Sequence, residues 1–255
     1  MNAPTKTDTT TNDSWTVARR SLQDDGVFGL AGTRAVPGAE AGFSAQVTTR
    51  EGASEPATFE LSYTLPENAS FTLEFAGKKQ RVDAKTPADV SASGISHLTL
   101  TAPLKSSLVL SPLGGAPRLF GLIVERGGPP GVVVDTAGID GARLETPLAW
   151  NEAAFVAEVA RRAPELFVVA FGTNEAFDAL KVERYGPQLT DLVQRLRKGA
   201  PQASCLVLGP TDAPLGDGSV PRVAEVAKVL QKTATQLRCS FVSLQQLMGG
   251  EGSFF

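Results

Sequence analysis

Leu166-Phe167-Val168-Val169-Ala170-Phe171 is an unbroken apolar run of strand length, and Gly172-Thr173-Asn174-Glu175 follows it directly. A run without polar alternation is the pattern of a strand buried on both faces, as in a parallel sheet. Just upstream, Asn151–Ala163 sets Phe155, Val156 and Val159 at helical core spacing, and before it stands a second continuous run, Gly131–Asp135 (GVVVD). Downstream, Asp178–Lys198 reads as a helix, Cys205–Leu208 (CLVL) as a strand, Val220–Leu237 as a helix and Cys239–Leu244 (CSFVSL) as a strand. Strands alternating with helices give a parallel sheet covered by helices. Ligands of such sheets bind beyond the carboxyl ends of the strands. Three loops therefore carry the search: Asp135–Leu144 (DTAGIDGARL), Gly172–Asp178 (GTNEAFD) and Gly209–Ala213 (GPTDA).

Further toward the N-terminus the period changes to two. Phe43–Thr49, Ala57–Tyr63, Ser70–Phe75, Ser96–Thr101, Ser106–Ser111 and Arg118–Glu125 are short alternating runs separated by Gly, Pro, Asn and Ser. Such runs at this spacing predict an antiparallel β-sandwich. The expected organisation is an N-terminal segment over 1–35, partly disordered, an accessory sandwich over 36–128, and an α/β domain over 129–255.

Composition excludes several classes. The chain has 255 residues, 42% hydrophobic and 20% charged, enough for a real core. Lys plus Arg number 24 and Asp plus Glu 27, a net charge of −3, so no basic field exists for nucleic acid or anionic membrane. Residues 1–14 are polar and lack the apolar core of a signal peptide. No window reaches the roughly 18 apolar residues of a membrane span. There is no phosphate-loop motif and no zinc ligand set, so neither cofactor nor metal is expected. The single histidine, His97, is the sharpest constraint. It lies in SHLTLT within the sandwich half and reads as a strand residue.

Two loop residues have candidate chemistry. Asn174 follows its strand at the spacing that aims a side-chain amide into the crevice. Gly138, in the preceding loop, offers a backbone N–H. Two donors converging from neighbouring loops form an oxyanion hole; the alternative is that GTNE is a helix cap and DTAGIDG a tight turn. Asp135 and Asp140 read more simply as turn chemistry than as an acid pair.

The order of these loops resembles that of SGNH (GDSL-type) hydrolases. Ala163–Glu175 is similar to the family's third block, Val134–Arg143 to its second, Cys205–Pro210 to the strand that follows, and Met248-Gly249-Gly250 to the run before its last block. The similarity covers about residues 131–255, and bacterial members with a sandwich domain inserted between the first two blocks would account for 36–128, including Asp25-Gly26-Val27-Phe28-Gly29. The resemblance implies a flavodoxin-like parallel sheet preceded by a jelly-roll-like sandwich. It implies a serine esterase acting on a small-molecule or carbohydrate ester, O-acyl or O-acetyl, with Gly138 and Asn174 as oxyanion-hole donors. Glu175 stands where many members carry Asp, and no chemical role is assigned to it.

Two blocks of that family have no counterpart in these residues. Gly-Asp-Ser after a first strand does not occur, and Gly216-Asp217-Gly218-Ser219 is no match because a glycine intervenes. Asp-x-x-His is absent as well. The first strand of the sheet is therefore missing, between GVVVD and LFVVAF, and its loss leaves unpaired edges and exposed core. The expectation is an esterase fragment, inactive as it stands, whose parent is periplasmic or extracellular if its missing ends include an export signal. The alternatives are a non-catalytic carbohydrate-binding protein with a decayed hydrolase domain, or complementation by a partner chain. The oligomeric state is not legible.

Cys205 and Cys239 open neighbouring strands. Buried free thiols are the expected state, with a bridge as the alternative if the geometry allows it. Trp15 and Trp150 read as packing residues, and Arg195-Leu196-Arg197-Lys198 as the solvated end of a helix.

Overall fold

The computed structural model describes residues 7–11, 15–18, 26–38, 45–49, 54–127, 131–178, 181–215, 218–220 and 222–253. The chain forms two compact units, one of Met1–Ser21 with Phe28–Ala137, the other of Leu22–Val27 with Gly138–Phe255. Asp25, Phe43, Gly216 and Asp217, which figured in the sequence reading, lie outside the described residues.

The first unit is antiparallel throughout. Its strands are β1 (Thr7–Thr11), β2 (Trp15–Ala18), β3 (Arg34–Pro37), β4 (Ala45–Thr49), β5 (Pro56–Thr64), β6 (Ser70–Phe75), β7 (Lys78–Val82), β8 (Asp89–Val90), β9 (Ser96–Pro103), β10 (Leu108–Gly114) and β11 (Arg118–Arg126). They form a five-stranded sheet, β1-β4-β10-β6-β7, and a six-stranded sheet, β2-β3-β11-β5-β9-β8. Alternation decides which side chains face inward. In β5, Ala57, Phe59, Leu61 and Tyr63 are all buried and join Phe71, Leu73 and Phe75 of β6 in one core. Edge-to-face ring pairs tie the sheets together, Phe59 with Phe75 at 4.8 Å and Tyr63 with Phe71 at 5.4 Å. Three strands have no apolar alternation to announce them, Thr-rich β1, then β7 and β8, and β2 and β3 are only four residues each. In β7 (KKQRV) only Val82 is buried, as suits a charged edge strand.

The second unit runs α1 (Glu145–Leu148), α2 (Glu152–Arg162), β12 (Leu166–Ala170), α3 (Thr173–Ala176), a 3-10 turn at Val182–Arg184, α4 (Tyr185–Gly199), β13 (Ser204–Gly209), a small hairpin of β14 (Pro214–Leu215) and β15 (Gly218–Ser219), α5 (Arg222–Gln236), β16 (Ser240–Ser243) and α6 (Leu244–Leu247). Asn151 caps α2 by accepting the N–H of Ala154, and Ala163 ends it in the left-handed region. β12, β13 and β16 pair in parallel in that order. The mixed α/β architecture, with one parallel and several antiparallel sheets, is the one the sequence predicts.

Three expectations need correction. Gly131–Asp135 is not a strand: Val132, Val133 and Val134 are 91%, 63% and 77% exposed, and no described strand pairs with them. An apolar run is held as a strand only where neighbours satisfy its backbone and cover its faces. β12 is buried on one face only. Phe167 and Val169 point into the core, while Leu166 is 51% and Val168 48% exposed. Among the described residues β13 is its sole ladder neighbour. Finally, Cys205 and Cys239 are not free thiols but a disulfide, with Cα atoms 4.7 Å apart. Parallel pairing of β13 with β16 sets the two cysteines at the same end of adjacent strands, within the span a bridge requires.

Candidate active site

The candidate residue Asn174 sits where an open parallel sheet places a ligand-facing loop, past the carboxyl end of β12. Gly172 makes the turn. Its φ is +122°, and a Cβ there would meet Cδ of Pro210 at 2.8 Å and Cδ1 of Leu230 at 3.2 Å, so only glycine fits. Asn174 follows on α3. Its Nδ2 donates to the backbone carbonyl of Ala142, 2.9 Å away. That bond fixes which side of the amide faces the Asp135–Leu144 loop. Gly138 lies in the same loop, exposed, with open space around its Cα. A tight turn follows it, closed by Ala142 N–H donating to Ile139 at 3.1 Å, with Gly141 at φ +71°. So the two candidate donors stand on loops that are joined by a direct hydrogen bond. Asp140 is exposed at that turn, as turn chemistry requires.

Sequence reasoning missed the residues that hold this arrangement. Glu175 is 1% exposed. One carboxylate oxygen accepts the N–H of Leu144 at 2.7 Å and the other the N–H of Gly172 at 2.9 Å. Burial pushes its carboxyl above the ordinary range, against the pull of those N–H groups and of Arg143. The signal was present: a Glu three residues after a helix N-cap is the returning half of a capping box. Tyr185, also buried, donates to Asp178 Oδ1 at 2.5 Å and lies 3.1 Å from the Glu175 carbonyl. Burial and then the Asp178 carboxylate push its phenol up to about 12. Arg143 and Arg222 flank Asp178 at 3.5 and 3.9 Å, and Arg222 also donates to the Asp178 carbonyl.

The third loop is pinned in the same way. Asp212 is 1% exposed. It accepts Gln245 Nε2 at 2.9 Å and the Gly252 N–H at 3.0 Å, tying the β13 loop to the turn that holds Met248-Gly249-Gly250.

His97 lies elsewhere. It is buried on β9 in the first unit, with Nδ1 3.1 Å from Ser62 Oγ and 3.6 Å from Glu60 Oε1. Both contacts use one ring nitrogen, whereas a catalytic triad needs the serine and the acid on opposite nitrogens. Trp150 packs edge-on against Phe155. The cluster at 195–198 is not simply solvated: Arg197 donates to the Leu237 carbonyl at 2.6 Å, and Lys198 and Arg195 pair with Glu152. The Lys198 ammonium holds the Glu152 carboxyl below its usual range.

Residues 100–254 match the GDSL-like Lipase/Acylhydrolase family, and the chain belongs to it. The family acts on ester bonds. No curated protein matches the chain. Among solved structures a peptidoglycan O-acetylesterase superimposes with a TM-score of 0.74 at 24% identity, over 97% of this chain and 67% of its own. That likeness carries the fold. Family two carbohydrate esterases from Clostridium thermocellum and Cellvibrio japonicus align at 11% and 14% identity over 93% and 94% of this chain and 88% and 89% of theirs. Their TM-scores of 0.30 add nothing to it. No helix among the described residues is long and apolar enough to cross a membrane.

Proposed function

We propose that the second unit is the ester-binding part of a serine esterase that removes O-acyl groups, acetyl foremost, from carbohydrate. The observation that carries this reading is the Asn174 amide. It is oriented by the Ala142 carbonyl at the mouth of a parallel sheet in a chain of the acylhydrolase family. An amide nitrogen has two N–H groups; one serves Ala142 and the other is the oxyanion donor. Gly138 N–H is the second donor. Together they would stabilise the charge that develops when an ester carbonyl is attacked, an effect for which a single donor accounts for about 10²–10³ in rate. The neighbouring peptidoglycan O-acetylesterase supports an acetylated glycan as substrate.

A jelly-roll-like accessory sandwich over 36–128 precedes the hydrolase-like domain over 129–255, and the segment over 1–35 adds β1 and β2 to the sandwich sheets. The sheet is flavodoxin-like with its first strand unfilled, a reading supported by β12 having β13 as its one ladder neighbour among the described residues and by its exposed Leu166 and Val168. The Cys205–Cys239 bridge supports an oxidising compartment, periplasmic or extracellular.

These 255 residues hold no Gly-Asp-Ser and only one histidine, so by themselves they should not turn over ester. The test is hydrolysis of p-nitrophenyl acetate by the 255 residues and by a chain extended to carry Gly-Asp-Ser and Asp-x-x-His blocks. Turnover is expected from the extended chain alone, and Asn174→Ala should lower its kcat about 10²–10³-fold. Serine-dependent turnover by the purified bare 255 residues overturns the reading. The alternative reading is a non-catalytic glycan-binding scaffold, since these residues hold neither Gly-Asp-Ser nor Asp-x-x-His. It predicts glycan retention with no gain of activity on extension.

A further inference from the structure

We infer that Glu175 is the positioning residue of this site: its buried carboxylate locks the loop that carries Asn174 to the loop that carries Gly138. The inference rests on the esterase reading above. The two N–H groups it accepts belong to Gly172 and Leu144, on different loops of the second unit. Its neighbour Asn174 reaches the same stretch through Ala142. Adjacent residues 174 and 175 thus place two tethers on residues 142 and 144. The Tyr185 hydroxyl, which donates to Asp178, packs 3.1 Å from the Glu175 carbonyl.

A carboxylate suits this task and an amide does not. Its two oxygens both accept, so one rigid group sets the spacing of two donors. A glutamine in the same place would turn its NH2 toward one of the N–H groups. Burying a carboxylate is unfavourable, and a plain packing position would be filled more easily by an apolar side chain. Oxyanion stabilisation depends on donors held in advance at the right separation, and a shift of about 1 Å can cost 10²-fold. Glu175 never touches the ester; it acts through the spacing of Asn174 and Gly138.

Amide hydrogen exchange on the 255-residue protein tests this without any turnover. In Glu175→Gln the N–H groups of Leu144 and Gly172 should exchange at least about tenfold faster, and the Asn174 side-chain amide signals should move. Amides of β13 and α4 should keep their protection. Glu175→Asp, which retains both acceptors on a shorter arm, should fall between. In the extended, ester-active chain Glu175→Gln should lower kcat about 10²-fold with KM little changed. The inference is overturned if Leu144 and the Asn174 amide are unaffected in both variants, for then Glu175 merely caps α3. It is overturned equally if kcat survives Glu175→Gln while Asn174→Ala abolishes it. If instead Asn174→Ala leaves kcat intact, the oxyanion reading itself fails, whatever Glu175 does to the loops.

Discussion

Gly172 and Tyr185 show how individual residues hold this site. Gly172→Ala would force a Cβ to within 2.8 Å of the Pro210 ring at a φ that L residues rarely adopt. Strained backbone costs about 1–3 kcal/mol and overpacking a similar amount. The expected loss is at least roughly 2 kcal/mol on that ground, read from urea unfolding. Tyr185→Phe removes the hydroxyl that donates to Asp178. Asp178 keeps Arg143 and Arg222 beside it, so the expected loss is that of one hydrogen bond to a charged group, about 1.5–3 kcal/mol, and calorimetry of the variant checks it. The phenol also gives a pH signature. Tyr185 is raised to about 12 and Tyr63 is raised by burial, and these are the chain's two tyrosines. Tyrosinate absorbance should therefore stay low at pH about 10, where a free phenol is half ionised, until alkali unfolds the protein. A folded value above the unfolded one stabilises below the unfolded value, and that contribution is lost as pH climbs toward 12. Glu175 obeys the same sign at the acid end. Its carboxyl is raised in the fold, so its contribution is fullest below the ordinary carboxylate range of about 4.3 and is lost as pH rises through the shifted value. The stability of the native protein relative to Glu175→Gln should accordingly fall as pH rises from about 4 toward neutrality; a gap that widens instead would contradict the burial effect.

Among the elements, the disulfide makes the clearest prediction. It closes a loop across a sequence separation of 34 residues between β13 and the residue before β16. In the chain-entropy account a loop of that length restricts the unfolded chain by roughly 4 kcal/mol. Intact mass should differ by two hydrogens with and without reductant, and reduction should lower the midpoint of thermal unfolding. This bridge also marks where sequence reading stops. Periodicity located α2, α4, α5, β12, β13 and β16, because their core faces repeat at the period of the element. It located six strands of the first unit for the same reason. It gave no sign of β1, β7 or β8, whose stability comes from pairing to a neighbour and not from an apolar face of their own. It gave GVVVD as a strand, because apolar content is local whereas a ladder partner is not. The site divides along the same line. Gly138 and Asn174 became candidates because their loops have a recognisable order. The Gly172 contact of Glu175 has a capping-box spacing, but its Leu144 contact and those of Tyr185 and Asp212 span 7 to 40 residues, which no local spacing encodes.

At the scale of the whole molecule, the two units have separate cores and separate cross-links. The Phe59–Phe75 and Tyr63–Phe71 ring pairs belong wholly to the first. The Cys205–Cys239 bridge, the Glu175 brace and the Asp212 clamp belong wholly to the second. Units with their own hydrophobic cores unfold as separate cooperative transitions unless a large interface couples them. Differential scanning calorimetry should therefore resolve two transitions. Reductant should move only the one that carries the disulfide, because a cross-link stabilises by constraining the unfolded chain it closes, and the first unit contains no cysteine. Phe59→Ala should move only the other, by the roughly 3–5 kcal/mol expected of a buried phenylalanine. The two perturbations should then add in the double treatment, as independent sites do. A single transition that shifts with either one would mean that the two units unfold as one cooperative body.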